Sequence, residues 1–84
     1  MTNFTFELLK KEELIDHPVS GSIGYNIEYF ISNDMHGDLA KGVVRVIVNE
    51  NGIFPDLVQL NKNVNTEIRS SLIIKLKEYV KDLE

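Results

Sequence analysis

Apolar residues recur along this chain at two different periods, and the change from one to the other predicts its architecture. Between Ile23 and Ile31 the alternation is strict. Ile23, Tyr25, Ile27, Tyr29 and Ile31 point one way, and Gly24, Asn26, Glu28 and Ser32 point the other, with Phe30 as the apolar exception on the polar side. Large apolar side chains at period two specify a strand with one face buried. From Asn65 to Glu84 the spacing becomes that of a helix. Ile68, Leu72, Leu76, Tyr79, Val80 and Leu83 return at intervals of three and four, which line one side of a 3.6-residue turn.

The remaining segments fit around these two. Phe4, Phe6 and Leu8 alternate with Thr5 and Glu7, which favours a strand from Asn3 to Leu9, although Lys10-Lys11-Glu12-Glu13-Leu14-Ile15 interrupts the pattern and leaves a helical alternative open. Asp16-His17-Pro18-Val19-Ser20-Gly21 and Asn33-Asp34-Met35-His36-Gly37-Asp38 carry turn residues. Ala40 to Val48 is rich in valine and isoleucine on both sides, as in a central strand. Gly42 within it marks a bulge or a close backbone approach. Asn51-Gly52 between two apolar runs is a hairpin signal. Pro55 cannot donate to a ladder, so the run Ile53 to Leu60 is expected as a short or edge strand. Asn61 to Val64 reads as a linker. Asn65 is an expected N-cap, with Glu67 near the positive end of the helix dipole and Lys75, Lys77 and Lys81 toward the negative end.

The expected fold is therefore α+β: an antiparallel β-meander of three to four strands with one C-terminal helix packed across one face, the Ile/Tyr ribbon of the central strand meeting the helix stripe. All 84 residues form one small domain, since a chain of this size closes a single core. One helix covers one face of a sheet, so the other face must be polar, self-associated or a docking surface.

Composition narrows the chemistry. There is no cysteine, which removes disulfides, thiolate metal sites and cysteine nucleophiles. No apolar run reaches the roughly 20 residues of a membrane span, and no charged-then-apolar leader opens the chain, so a cytoplasmic location and no membrane partner are expected. The formal charge is −4, with 13 acidic and 9 basic side chains, a poor balance for phosphate contacts. Nucleic acid is accordingly not an expected partner. Lysine outnumbers arginine, and isoleucine and asparagine are frequent, a bias that fits an AT-rich bacterial or phage genome.

Candidate sites are sparse. Asp34, His36 and Asp38 place two carboxylates and an imidazole at alternate positions of a turn, a weak metal candidate that lacks the distant bidentate Glu of a calcium loop. His17 and His36 titrate near neutrality by default, but neither has an orienting partner visible in the sequence. Ser20, Ser22, Ser70 and Ser71 lie in no nucleophile motif, and the five glycines form no phosphate loop. No catalytic residue and no cofactor are assigned. Arg69 beside Tyr25 or Tyr29 fits snorkelling better than a ligand groove. Two stray apolar positions favour an interface: Phe30 on the polar side of its strand, and Ile74 opposite the helix stripe. If Phe30 adjoins Val44, Val46 or Val48, an uncovered apolar patch results. The possible interface is thus Phe30, Val44, Val46 and Ile74.

These features favour a non-enzymatic protein-binding or accessory module, acting through a protein partner or through self-association as a homodimer. The alternative is a ligand-binding or enzymatic homodimer with its site between subunits. A meander followed by a long C-terminal helix resembles export chaperones of the SecB type in topology, with no motif to accompany it, and likeness of fold does not carry function. The outline also resembles double-stranded RNA-binding domains. Their second helix opens with a glycine- and lysine-rich grip on phosphate, where Asn61 to Ser71 offers only Lys62 and Arg69.

Overall fold

The computed structural model of the chain describes residues 2–35 and 37–84, and for residues 38, 39 and 61–63 the backbone alone. Its elements are β1 (Thr2–Glu13), β2 (Ile23–Asn33), β3 (Gly37–Asn49), β4 (Gly52–Pro55), α1 (Leu57–Asn63) and α2 (Thr66–Leu83). The four strands form one antiparallel sheet in the order β1-β2-β3-β4. The fold is the α+β meander that the two periodicities predict, with a short additional helix ahead of the long one.

β1 is a strand throughout, including the ambiguous lysine and glutamate run. The register explains why that run resists reading. Leu8 pairs with Ile27 and Lys10 with Asn26, so Leu9 is an extra residue in a β-bulge. The bulge flips the alternation, and Lys11 rather than Lys10 comes to lie on the covered side opposite Tyr25. A second bulge sits in β3. Ile31 pairs with Ala40 and Ser32 with Asp38, which makes Leu39 the extra residue.

The β3–β4 hairpin closes on Asn49 and Gly52, with Glu50 and Asn51 at its tip. The turn is thus one residue earlier than the Asn-Gly pair implies. The Asn49 side chain accepts from the Asn51 N–H at 2.9 Å, and only Gly52 takes a positive φ, +135°. β4 ends at Pro55 and is an edge strand, as proline requires. The rest of the expected strand, Leu57 to Leu60, is helical. Asp56 caps α1 by accepting from the Val58 and Gln59 N–H groups, and its own N–H donates to the Arg45 carbonyl at 2.9 Å. That bond and the one from the Arg45 N–H to Gln59 Oε1, 3.2 Å, hold α1 where a longer β4 would have run.

α2 begins at the expected cap, with Asn65 accepting from the Glu67 N–H. It lies over the sheet. Leu72, Leu76 and Val80 meet Tyr25, Ile27, Tyr29, Ile31, Val44 and Val46, with Leu60 and Val64 closing the α1 end. Phe4, Phe6 and Leu8 of β1 pack against this core, and the Phe6 and Tyr79 rings stand 5.3 Å apart. Gly42 makes room for a ring. It lies opposite Tyr29, and a Cβ there would fall 2.6 Å from the tyrosine oxygen. This is the close approach expected at Gly42.

Candidate functional site

Both helices lie on one side of the sheet, and the sequence positions that alternate with the core therefore form an open face. Its rows follow from the register. The first holds Thr5, Phe30 and Lys41; the second Glu7, Glu28 and Val43; the third Lys10, Asn26 and Arg45; the fourth Glu12, Gly24 and Ile47, extended by Phe54. Leu9, the unpaired bulge residue, is exposed between the second and third rows of the register. Apolar area is exposed here: Val43 is 44% and Phe54 49% accessible, while Phe30 and Ile47 are half-buried.

The charges on this face are arranged unevenly. Glu12 pairs with Lys10 at 3.8 Å and with Arg45 at 3.4 Å. Arg45 reaches it by lying across Gly24, whose missing side chain leaves room, and Leu14 covers the same glycine. Glu7 and Glu28 stand directly opposite each other on neighbouring strands. Like charges in that position oppose strand pairing. Neither carboxylate is within ion-pair distance of a cation among the described residues.

The loop between β1 and β2 folds over one end of the open face. Residues Glu13 to His17, with Arg45 and Ile47, line an open depression there. The loop is clipped from within. His17 Nδ1 accepts the Val19 N–H at 3.1 Å and lies 3.0 Å from Ser22 Oγ. Ser22 Oγ donates to the Val19 carbonyl at 2.7 Å and accepts from Asn49 Nδ2 at 3.1 Å. A serine and a histidine are thus brought together, which the sequence alone does not signal. Their polar atoms bind the loop itself, and Ser22 is only 2% exposed. The arrangement fastens a turn and offers no approach to a substrate.

The expected interface residues separate. Phe30 is on the open face. Val44 and Val46 are on the covered face at 0% exposure, beneath the helices, so they cannot join Phe30 in a surface patch. The apolar neighbour of Phe30 is instead Val43, diagonal to it on β3, and Ile47 lies three rows away beside Phe54; both are one residue out of phase with the expected set. The cause is the β3 bulge, which fixes the parity of the strand and leaves no mark in its valine-rich sequence. Ile74 is 59% exposed on the outer side of α2, with the helix and the sheet between it and Phe30. Of the metal candidates, Asp34 is exposed and accepts from Asn3 Nδ2 at 3.1 Å. His36 and the Asp38 side chain lie outside the described residues. Among the described residues no three His, Asp or Glu side chains gather as a metal site. No helix is long and apolar enough to cross a membrane.

One titratable group on the covered side is displaced. Tyr25 is held above the usual tyrosine range, first by burial and then by its hydroxyl donating to Glu84 Oε2 at 2.9 Å beside that carboxylate's charge. The Lys11 ammonium stands 5.7 Å from the same ring. The Tyr25–Glu84 hydrogen bond ties the end of α2 to the sheet.

No family model matches this chain, and no curated protein or solved structure is similar to it.

Proposed function

We propose that this chain is a non-enzymatic protein-binding module that acts through the sheet face left open by its helices. The observation that carries the reading is two apolar pairs on the uncovered sheet face: half-buried Phe30 diagonal to exposed Val43, and half-buried Ile47 directly opposite exposed Phe54. Scattered apolar residues are ordinary on any surface, whereas contiguous ones mark contact sites. Lysine, arginine and glutamate stand beside and between the two pairs, a mixture of apolar and charged side chains that suits a contact surface. The paired polar atoms around Ser22 and His17 point away from catalysis there.

The test compares the chain with its Val43→Asp variant, both immobilised and exposed to the same cell extract. A specific protein retained by the parent and lost with Val43→Asp supports the reading. Equal retention by both chains rejects it.

A second reading has one observation in its favour. The depression lined by Asp16, His17 and Arg45 opens at the end of the same face, so two chains meeting there would enclose it. A ligand-binding or enzymatic homodimer would place its site in that enclosure.

A further inference from the structure

The open face carries a pattern that identifies its occupant. Among the described residues it holds three carboxylates, Glu7, Glu12 and Glu28, and three cations, Lys10, Lys41 and Arg45. These four rows therefore balance in charge, although the chain as a whole bears −4. Two copies can bring such faces together without the repulsion that their net charge would otherwise impose. The order of the rows is the stronger argument. The acidic row of Glu7, Glu28 and Val43 lies next to the row of Lys10, Asn26 and Arg45. A surface with adjacent rows of opposite character is self-complementary under a half-turn.

We infer that the occupant of the open face is a second copy of this chain, packed sheet to sheet about a two-fold axis that runs across the strands between these two rows. The inference rests on the reading of that face as a binding surface, and it names the partner. The half-turn lays each row over its neighbour in the other copy. Glu7 then faces Lys10 of the second copy, and Glu28 faces Asn26. Val43 lies against the aliphatic stem of Arg45. Phe30 falls over the row of Gly24, against the Arg45 and Leu14 side chains that lie across that glycine. The uncompensated Glu7–Glu28 pair receives a cation and an amide, so a feature that opposes folding of one chain favours association of two.

The area is sufficient, though small. Three long strands about 4.8 Å apart and roughly ten residues long at about 3.3 Å each offer roughly 500 Å² per copy, so two faces bury roughly 1,000 Å². That is the lower end of specific interfaces, about 1,000 Å² and upward, and it fits a reversible dimer.

Sedimentation velocity across a micromolar concentration range tests the inference on four chains: the parent, Glu7→Lys, Lys10→Glu, and the two combined. Both side chains are exposed, so the single reversals should fold, and circular dichroism checks that they do. The expected result is a concentration-dependent dimer whose Kd rises about tenfold or more in each single variant and returns toward the parent value in the combination. Restored affinity cannot come from a chain that fails to fold. A parent that stays monomeric overturns the inference. So does a dimer indifferent to either reversal, which would place the contact elsewhere, such as the free edge of β1. A combined variant weaker than both singles overturns it as well. A monomer would leave the binding-surface reading standing, since that reading falls only if Val43→Asp retains the same proteins as the parent.

Discussion

The two faces of this sheet are made by the same strands, often by successive residues, and they obey different rules. On the covered face Tyr25, Ile27, Tyr29, Ile31, Val44 and Val46 are shut away from water beneath α2. Shape decides what is allowed there. On the open face Asn26, Glu28, Phe30, Val43 and Arg45 lie one residue away along the chain, and charge and contact decide. A substitution at position 44 is a question about folding, whereas one at position 43 tests the proposed association. The sheet thus separates a buried surface from an open one by a single step of the backbone.

The largest break in this contrast should come from the helix. Leu76→Ala removes a fully buried side chain at the centre of the seam and should cost about 2–5 kcal/mol, lowering Tm by about 10 °C or more in a domain of this size. Thermal unfolding followed by circular dichroism measures it, and a loss of only a degree or two would show that α2 does not close the core. Gly42→Val comes next. Its added atoms meet the Tyr29 ring, so a cost of about 1–3 kcal/mol is expected. A Tyr29→Leu background should absorb part of that cost, and strictly additive urea midpoints would deny the contact. Asp56→Ala unmakes the α1 cap and should cost about 1 kcal/mol, again read from urea unfolding.

The open face should answer differently. Val43→Thr should change unfolding stability by less than about 0.5 kcal/mol at low protein concentration. A cost as large as that of Leu76→Ala would mean that this face is buried after all. The smallest effect concerns pH. Because the Tyr25 pKa is raised in the folded chain, its contribution to stability is complete below the ordinary tyrosine value of about 10. It is lost as pH rises through the higher folded value. Tyr25→Phe should flatten that alkaline decline, and parallel curves for the two chains would detach Tyr25 from it.

Much of the covered face was legible because two periodicities had to agree. Ile23 to Ile31 at period two and Ile68 to Leu83 at period 3.6 each define an apolar surface, and a single domain gives them only each other to meet. The Asn65 cap and the edge position of Pro55 followed from local chemistry in the same way. The open face was harder to read for one reason. Its membership depends on the parity of β3, and both parities of Val43-Val44-Arg45-Val46-Ile47-Val48 are apolar. Only the bulge at Leu39 settles which set faces the helices, and bulges arise from the meeting of two strands. The start of α1 was more accessible. Pro55-Asp56 ahead of Leu57-Val58-Gln59-Leu60 is a stop followed by a cap, but the continuous apolar run imitates a strand. The His17–Ser22 clip joins residues across a loop whose path no spacing specifies.

The bulge in β1 carries a consequence of its own. Leu8 keeps Ile27 and Lys10 keeps Asn26 whether or not a residue intervenes. Leu9 is therefore a supernumerary link. Excising it would leave every other strand partner in place, and because Leu8 and Leu9 are both leucine, removing either gives the same chain. Among the strand positions of this molecule, it marks a place where the chain could shorten without rethreading.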